Sequence, residues 1–129
     1  MASKNKGTRY ERELFHMFWN TNEFSAVRIA GSGSTPLPAP DLLIGGKNKY
    51  FAIECKSVKA TSKYFKEGEI EELILFANKF GAQPYVAIRF NNKGWFFVKP
   101  EDLKKTNKTF CLSYELAKEK GISFEKLIE

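Results

Sequence analysis

At 129 residues, with 43% hydrophobic and 15% aromatic content, the chain has globular composition and room for one core, too small for two comfortable ones. No run approaches the roughly 18 apolar residues of a membrane span, and Met1-Ala2-Ser3-Lys4-Asn5-Lys6 lacks the apolar core of a secretory leader. The net charge of +6 lies entirely in residues 1–66, which hold eleven lysines and arginines against five acids, whereas residues 67–129 hold ten of each.

Residues 1–7 read as a flexible basic arm carrying Lys4 and Lys6. Thr8-Arg9-Tyr10-Glu11 has the form of a capping box, which predicts a helix from Thr8 to about residue 20. At 100° per residue, Leu14, Phe15 and Phe18 fall within about 60° of Glu11, so an acid sits inside the apolar stripe. Residues 24–30 alternate as a strand. The glycines and prolines of residues 31–40 exclude regular structure, because glycine permits any backbone and proline removes a donor. A strand opening at Asp41 and another over residues 50–58 flank Gly45-Gly46-Lys47-Asn48, which reads as a hairpin turn. Residues 59–66 read as a basic loop with Tyr64 and Phe65.

Residues 67–80 place Ile70, Leu73, Ile74, Ala77 and Phe80 on one helical face, and Gly81 ends it. Glu67, Glu69, Glu71 and Glu72 cluster at its start, where the helix dipole favours acids, and read as a solvated end. Residues 84–90 and 95–98 are strands joined through Asn91-Asn92-Lys93-Gly94. In the tail, residues 114–120 and 124–128 read as short helices. This order predicts an α/β fold with a central mixed β-sheet flanked by helices, the strands after Pro40 and Tyr50 being central.

Chemistry concentrates around that hairpin. In Phe51-Ala52-Ile53-Glu54-Cys55-Lys56, side chains alternate faces, so Glu54 and Lys56 share one face of an otherwise apolar strand. A charge held there costs several kcal/mol, at order of magnitude, unless it is paired or bound to a metal. The hairpin returns Asp41 beside Glu54. Two carboxylates at one strand end repel unless a divalent cation lies between them, and a lysine alongside suits hydrolysis of a phosphodiester. A salt bridge at a sheet edge is the ordinary alternative for Glu54 and Lys56, but edge strands rarely read Tyr-Phe-Ala-Ile. Cys55 and Cys111 are too few for a disulfide framework, which places the chain in a reducing, cytoplasmic interior. One histidine leaves no basis for a zinc site.

Pro40-Asp41 with Glu54-Cys55-Lys56 resembles the core of the PD-(D/E)xK nucleases, which have the restriction-endonuclease-like fold. The chain is similar, more closely, to the archaeal type of Holliday junction resolvase. The stretches that carry the likeness include Lys6-Gly7, Glu11-Arg12-Glu13-Leu14, Val27-Arg28-Ile29-Ala30-Gly31-Ser32-Gly33-Ser34, Ala52-Ile53-Glu54-Cys55-Lys56-Ser57, Phe80-Gly81-Ala82 and Val86-Ala87-Ile88-Arg89-Phe90. They run in order through residues 6–98 and fade beyond residue 100.

The resemblance implies one nuclease domain over residues 1–129, acting as a homodimeric, magnesium-dependent endonuclease that nicks four-way DNA junctions symmetrically. It implies catalytic roles for Glu11, Asp41, Glu54 and Lys56, and an active-site position for Ser32 in the loop before the aspartate. In that reading Asp41 and Glu54 ligate Mg²⁺, with Mn²⁺ as a substitute. The Cys55 carbonyl is a further ligand, and Glu11 completes the acid cluster. The Cys55 thiol faces the core. Lys56 orients the attacking water and steadies charge on the phosphate. Lys4, Lys6, Arg12, Arg28, Ser32, Lys59 and Lys63 are candidate DNA contacts. The helix of residues 70–80 and the strand of residues 95–98 are apolar surfaces for a second copy, or else core. Other recombination proteins as partners leave no sequence signal. Two further readings are a flap, nick or duplex nuclease of the same fold, and a non-catalytic DNA-binding module.

Overall fold

The structure, a computed structural model, describes residues 2–29 and 37–129, with side chains described from residue 8 onward. Helix α1 (Ala2–Trp19) leads into β1 (Phe24–Arg28), β2 (Leu42–Gly46), β3 (Lys49–Val58) and β4 (Ser62–Lys66). Helix α2 (Glu67–Phe80) is followed by β5 (Gln83–Phe90), β6 (Trp95–Val98), a 3₁₀ turn at Pro100–Asp102, β7 (Lys104–Thr106) and β8 (Thr109–Ser113). Helices α3 (Tyr114–Lys120) and α4 (Phe124–Leu127) close the chain.

Five strands form a mixed sheet in the order β1-β2-β3-β5-β6. Strand β3 lies at its centre, parallel to β5, and the remaining pairs are antiparallel. One face carries Phe24, Ala26, Leu42, Ile44, Phe51, Ile53 and Ala87 against Leu14 and Phe18 of α1. The other carries Ala52, Val86, Ile88 and Phe90 against Ile70, Leu73 and Ala77 of α2. This double coverage explains why β3 reads as a nearly unbroken apolar run.

Three expectations need correction. Helix α1 begins at Ala2, so the backbone of residues 2–7 is helical rather than a flexible arm. Nothing in Ala2-Ser3-Lys4-Asn5-Lys6 stops a helix, and Gly7 opposes it by only about 1 kcal/mol. Extending a helix already anchored by Leu14 and Phe18 is cheap once nucleation is done. Thr8 therefore lies inside α1, and Glu11 is not a capping residue. Residues 62–66, expected as loop, form β4, which pairs with β8 in a second sheet of order β4-β8-β7. The pairing partner lies more than forty residues downstream, so no local pattern announces it. Within residues 95–98, Phe97 and Val98 are buried in the core and offer no surface to another copy.

The β2–β3 turn puts Lys47 (φ 52°) and Asn48 (φ 62°) in the left-handed region, the backbone of a tight two-residue hairpin. Gly46 serves a different need. A Cβ there would lie 2.1 Å from the Glu23 carbonyl oxygen and 2.8 Å from Phe24 Cα, backbone atoms that cannot step aside. Gly68, in the first turn of α2, meets nothing within 4 Å. Gly46→Ala should therefore lower the free energy of unfolding in urea by about 1–3 kcal/mol, the usual cost of overpacking. Gly68→Ala should raise it by about 0.5–1 kcal/mol, through helix propensity. Equal effects from the two changes would contradict this packing of β2 on β1.

Candidate active site

Asp41 stands one residue before β2. Its backbone N–H donates to the Ile53 carbonyl at 3.0 Å, and its carbonyl accepts from the Ile29 N–H at 3.0 Å. The antiparallel register Leu42↔Ile53 thus continues by one position and sets Asp41 beside Glu54. The Cys55 N–H donates to Asp41 Oδ2 at 2.8 Å, a buried bond that fixes the carboxylate against the central strand. Asp41 is only 8% exposed.

Glu11 arrives from α1. Leu14 and Phe18, three and seven residues on, are fully buried and set the helix rotation that turns Glu11 inward. Glu13 fixes α1 to the sheet, accepting from Trp95 Nε1 at 2.8 Å and pairing with Arg89 Nε at 3.4 Å. Glu11 Oε1 lies 3.5 Å from Arg28 Nη2 at the end of β1. Lys56 Nζ lies 3.7 Å from Glu54 Oε2 and 3.8 Å from Glu69 Oε2, the latter in the first turn of α2. Glu11, Asp41, Glu54, Cys55, Lys56 and Glu69 line one cleft of about 490 Å³, together with Leu37, Ala39, Glu72 and Leu73.

Acids outnumber cations here, and the electrostatics show it. Burial first, and then the Asp41 charge, push the Glu54 carboxyl from 4.5 up to about 8 against the opposing pull of Lys56. Glu69 and Glu11 add to the rise. The Glu11 carboxyl is raised by burial and then by Asp41, with Arg28 opposing. Burial, followed by the same acids, pushes the Cys55 thiol well up, so it stays a neutral core group. A hard divalent cation relieves this kind of crowding, and the donors are carboxylate oxygens. Among the described residues no three His, Cys, Asp or Glu side chains converge into a cage for a metal. A magnesium-type site does not need one, since such ions keep several waters and bind through one or two carboxylates. The donor set fits.

Glu11, Asp41, Glu54, Cys55 and Lys56, singled out in the sequence, therefore meet at one place. Arg28, expected on DNA phosphate, sits at the rim paired with Glu11. Arg12 is exposed on α1, Lys59 is exposed in the bend after β3, and Lys63 lies on β4 opposite Leu112. Lys4 and Lys6 fall in the first turns of α1, and their side chains lie outside those described. Ser32 lies outside the described residues. Sequence reasoning missed Glu69 and Glu72. At a helix start they look like dipole partners, and only the path from β3 through β4 into α2 brings Glu69 over Lys56.

A mixed sheet covered by helices on both faces, with an acid pair and a lysine where its central strands meet, defines a protein of the restriction-endonuclease-like fold. Residues 2–129 match the family described as archaeal Holliday junction resolvase (hjc), and the chain belongs to that family. It is 43% identical over 107 residues to the crossover junction endodeoxyribonuclease Hjc of Archaeoglobus fulgidus, covering 83% of this chain and 78% of that one. It is 34% identical over 123 residues to Hjc of Methanocaldococcus jannaschii, covering 95% and 86%. To the crossover junction endodeoxyribonuclease Hje of Saccharolobus solfataricus it is 35% identical over 98 residues, covering 74% and 72%. The solved structure of A. fulgidus Hjc superposes with a TM-score of 0.88 at 35% identity, over 95% of this chain and all of that one.

The raised Glu54 carboxyl has a stability consequence in metal-free protein. Between the unfolded value of 4.5 and the folded value of about 8, the folded state holds a proton that the unfolded chain has lost. Glu54's contribution is thus fully present below about pH 4.5 and is lost as pH rises through about 8. In EDTA, the native protein should lose more unfolding free energy between about pH 5 and pH 9 than Glu54→Gln does. Parallel pH–stability curves for the two proteins would show that the site stores no such repulsion.

Proposed function

We propose that this cleft is the active site with which the chain, acting as a crossover junction endodeoxyribonuclease, hydrolyses phosphodiesters in four-way DNA junctions. The observation that carries the proposal is the convergence of Asp41, Glu54 and Lys56 on one cleft, with Asp41 locked to the strand that bears the other two. The family depends on a divalent cation. Mg²⁺ is the ion proposed here, with Mn²⁺ as substitute, held by Asp41, Glu54 and the Cys55 carbonyl, with Glu11 completing the acid set. Such an ion supplies Lewis-acid charge at the phosphate and a more acidic bound water.

The residues do the rest. Asp41, fixed by the Cys55 amide, and Glu54, fixed on β3, present preorganised oxygens that need no rearrangement when substrate arrives. Lys56 brings a positive charge to the phosphate oxygens and orients the attacking water. In-line attack breaks the P–O3′ bond, leaving a 5′-phosphate and a 3′-hydroxyl. Arg28 holds Glu11 at the rim and stands where a neighbouring phosphate would pass. Arg12, Lys59, Lys63, Lys4, Lys6 and Ser32 are assigned to the DNA backbone on the strength of charge and family likeness. Selection of the substrate is assigned to shape, on the strength of the family likeness. A chain that works on recombining DNA is assigned to the cell interior, at the nucleoid.

Symmetric nicks need two acid clusters, and each chain holds one, so we assign a homodimer. The surface that suits it is apolar and exposed. Helix α2 packs on β3 and β5, and among the described residues the β1–β2 part of that sheet face is left uncovered. Val27 and Tyr50 lie there, 58% and 54% exposed, flanking Leu43. Leu75 and Phe80 of α2 are 47% and 53% exposed, and the Phe80 ring stacks on Phe76 at 5.6 Å.

Asp41→Asn and Glu54→Gln should each slow single-turnover cleavage of a four-way junction by at least about 10²–10³, the usual loss when electrostatic stabilisation is removed. Junction affinity should stay within a few-fold. A rate above about a tenth of native would remove the residue from catalysis, and equal cleavage of linear duplex would favour a general nuclease of this fold. Phe80→Glu with Val27→Glu should turn a dimer into a monomer in analytical ultracentrifugation, because like charges would be buried against each other. A sedimentation coefficient unchanged by both substitutions would place the interface elsewhere.

A further inference from the structure

Glu69 plays no part in the mechanism above, yet it is the second carboxylate against the ammonium of Lys56. Lys56 Nζ lies 3.7 Å from Glu54 Oε2 and 3.8 Å from Glu69 Oε2. Neither distance is a hydrogen bond, so the ammonium is suspended between two walls of the cleft, β3 on one side and α2 on the other. Glu69 Oε2 is buried and, among the described residues, has no hydrogen-bond partner, and Lys56 is the cation beside it.

We infer that Glu69 is a positioning residue whose carboxylate shares the Lys56 ammonium with Glu54 and so keeps it from closing to hydrogen-bond distance on the Glu54 oxygens that the divalent cation needs. Glu54 and Lys56 are two residues apart on one strand face, close enough to pair with each other. Closed to hydrogen-bond distance, that pair would occupy the oxygen the cation needs and would hold the lysine away from phosphate. A counter-carboxylate on the facing helix balances that pull. Junction DNA, arriving with its own negative charge, then takes Lys56 from Glu69 rather than from Glu54. The placement rests on the tertiary fold, since Glu69 comes from a helix that β4 separates from β3.

This inference rests on the metal-site reading of Asp41 and Glu54, and the test separates the two. Mn²⁺ binding is measured by titration calorimetry on DNA-free protein, and Mg²⁺ dependence by single-turnover junction cleavage. Glu69→Gln, which keeps size and helix propensity, should raise the Mn²⁺ dissociation constant and the Mg²⁺ midpoint about tenfold, an effect of the size expected when a group that orients a metal ligand is lost. At saturating Mg²⁺ its rate should return to within about threefold of native, and Glu69→Asp should recover part of the shift. In a Lys56→Met background the same Glu69→Gln change should shift Mn²⁺ binding less than threefold, because no ammonium remains to be held.

A native-like Mn²⁺ constant in Glu69→Gln, or a shift that persists in full without Lys56, would overturn the inference. So would a rate that stays low at saturating Mg²⁺. If Asp41→Asn binds Mn²⁺ as tightly as native protein, the metal-site reading itself has failed and this inference goes with it. If Asp41→Asn loses Mn²⁺ while Glu69→Gln keeps it, the inference alone has failed.

Discussion

The 2.8 Å bond from the Cys55 amide to the Asp41 carboxylate couples the sheet to the chemistry. It satisfies a buried backbone donor at a point where the β2–β3 ladder is running out, and it does so with a side chain. Because the acceptor is the Asp41 side chain, the same bond that completes the sheet also orients a carboxylate at its end. The rest of the cleft is placed relative to that point. Glu54 is Asp41's neighbour in register, Lys56 follows two residues on, and Glu11 is swung over them by a helix whose rotation Leu14 and Phe18 fix.

Holding these acids together has an energetic cost that the two cores offset. Glu54 and Glu11 are pushed towards neutrality by burial and then by the Asp41 charge. Such repulsion persists only where the surrounding structure leaves the groups no alternative. Here that structure is a central strand buried on both faces, with fully buried Phe51, Ile53, Val86 and Ile88 around the site. Active sites are where local rules are broken, and this one breaks the rule against grouping like charges.

Much of this was legible in the sequence, for identifiable reasons. The acid in the stripe of α1, the alternation that puts Glu54 and Lys56 on one face, and the turn between Asp41 and Glu54 are all short-range patterns, and each fixed a side chain's direction. The helix of residues 67–80 followed from periodicity and its end from the glycine cap, and the strand of residues 95–98 followed from the turn sequence before it. What escaped was non-local. Strand β4 exists because Phe65 pairs with Phe110, and β7, three polar residues, does not stand out from loop. Glu69 was misread as helix-end decoration because its role depends on where α2 docks. The start of α1 was misplaced because the capping-box pattern at Thr8-Arg9-Tyr10-Glu11 also occurs inside helices.

The small sheet also orders events in time. Strand β4 runs straight into α2, and its partner β8 lies near the chain's other end. The Glu67 N–H donates to the Lys108 carbonyl, and the Glu67 side chain pairs with Lys105, so the first turn of α2 is fastened by residues beyond 100. A chain emerging from the ribosome completes the Asp41–Glu54 hairpin early, from contacts close in sequence. The wall that carries Glu69 has to wait for the tail, since distant pairings form late. A nascent or truncated chain would therefore carry the acids with half a cleft around them. A cleft assembled in that order is complete only once residues beyond 100 have docked against the first turn of α2.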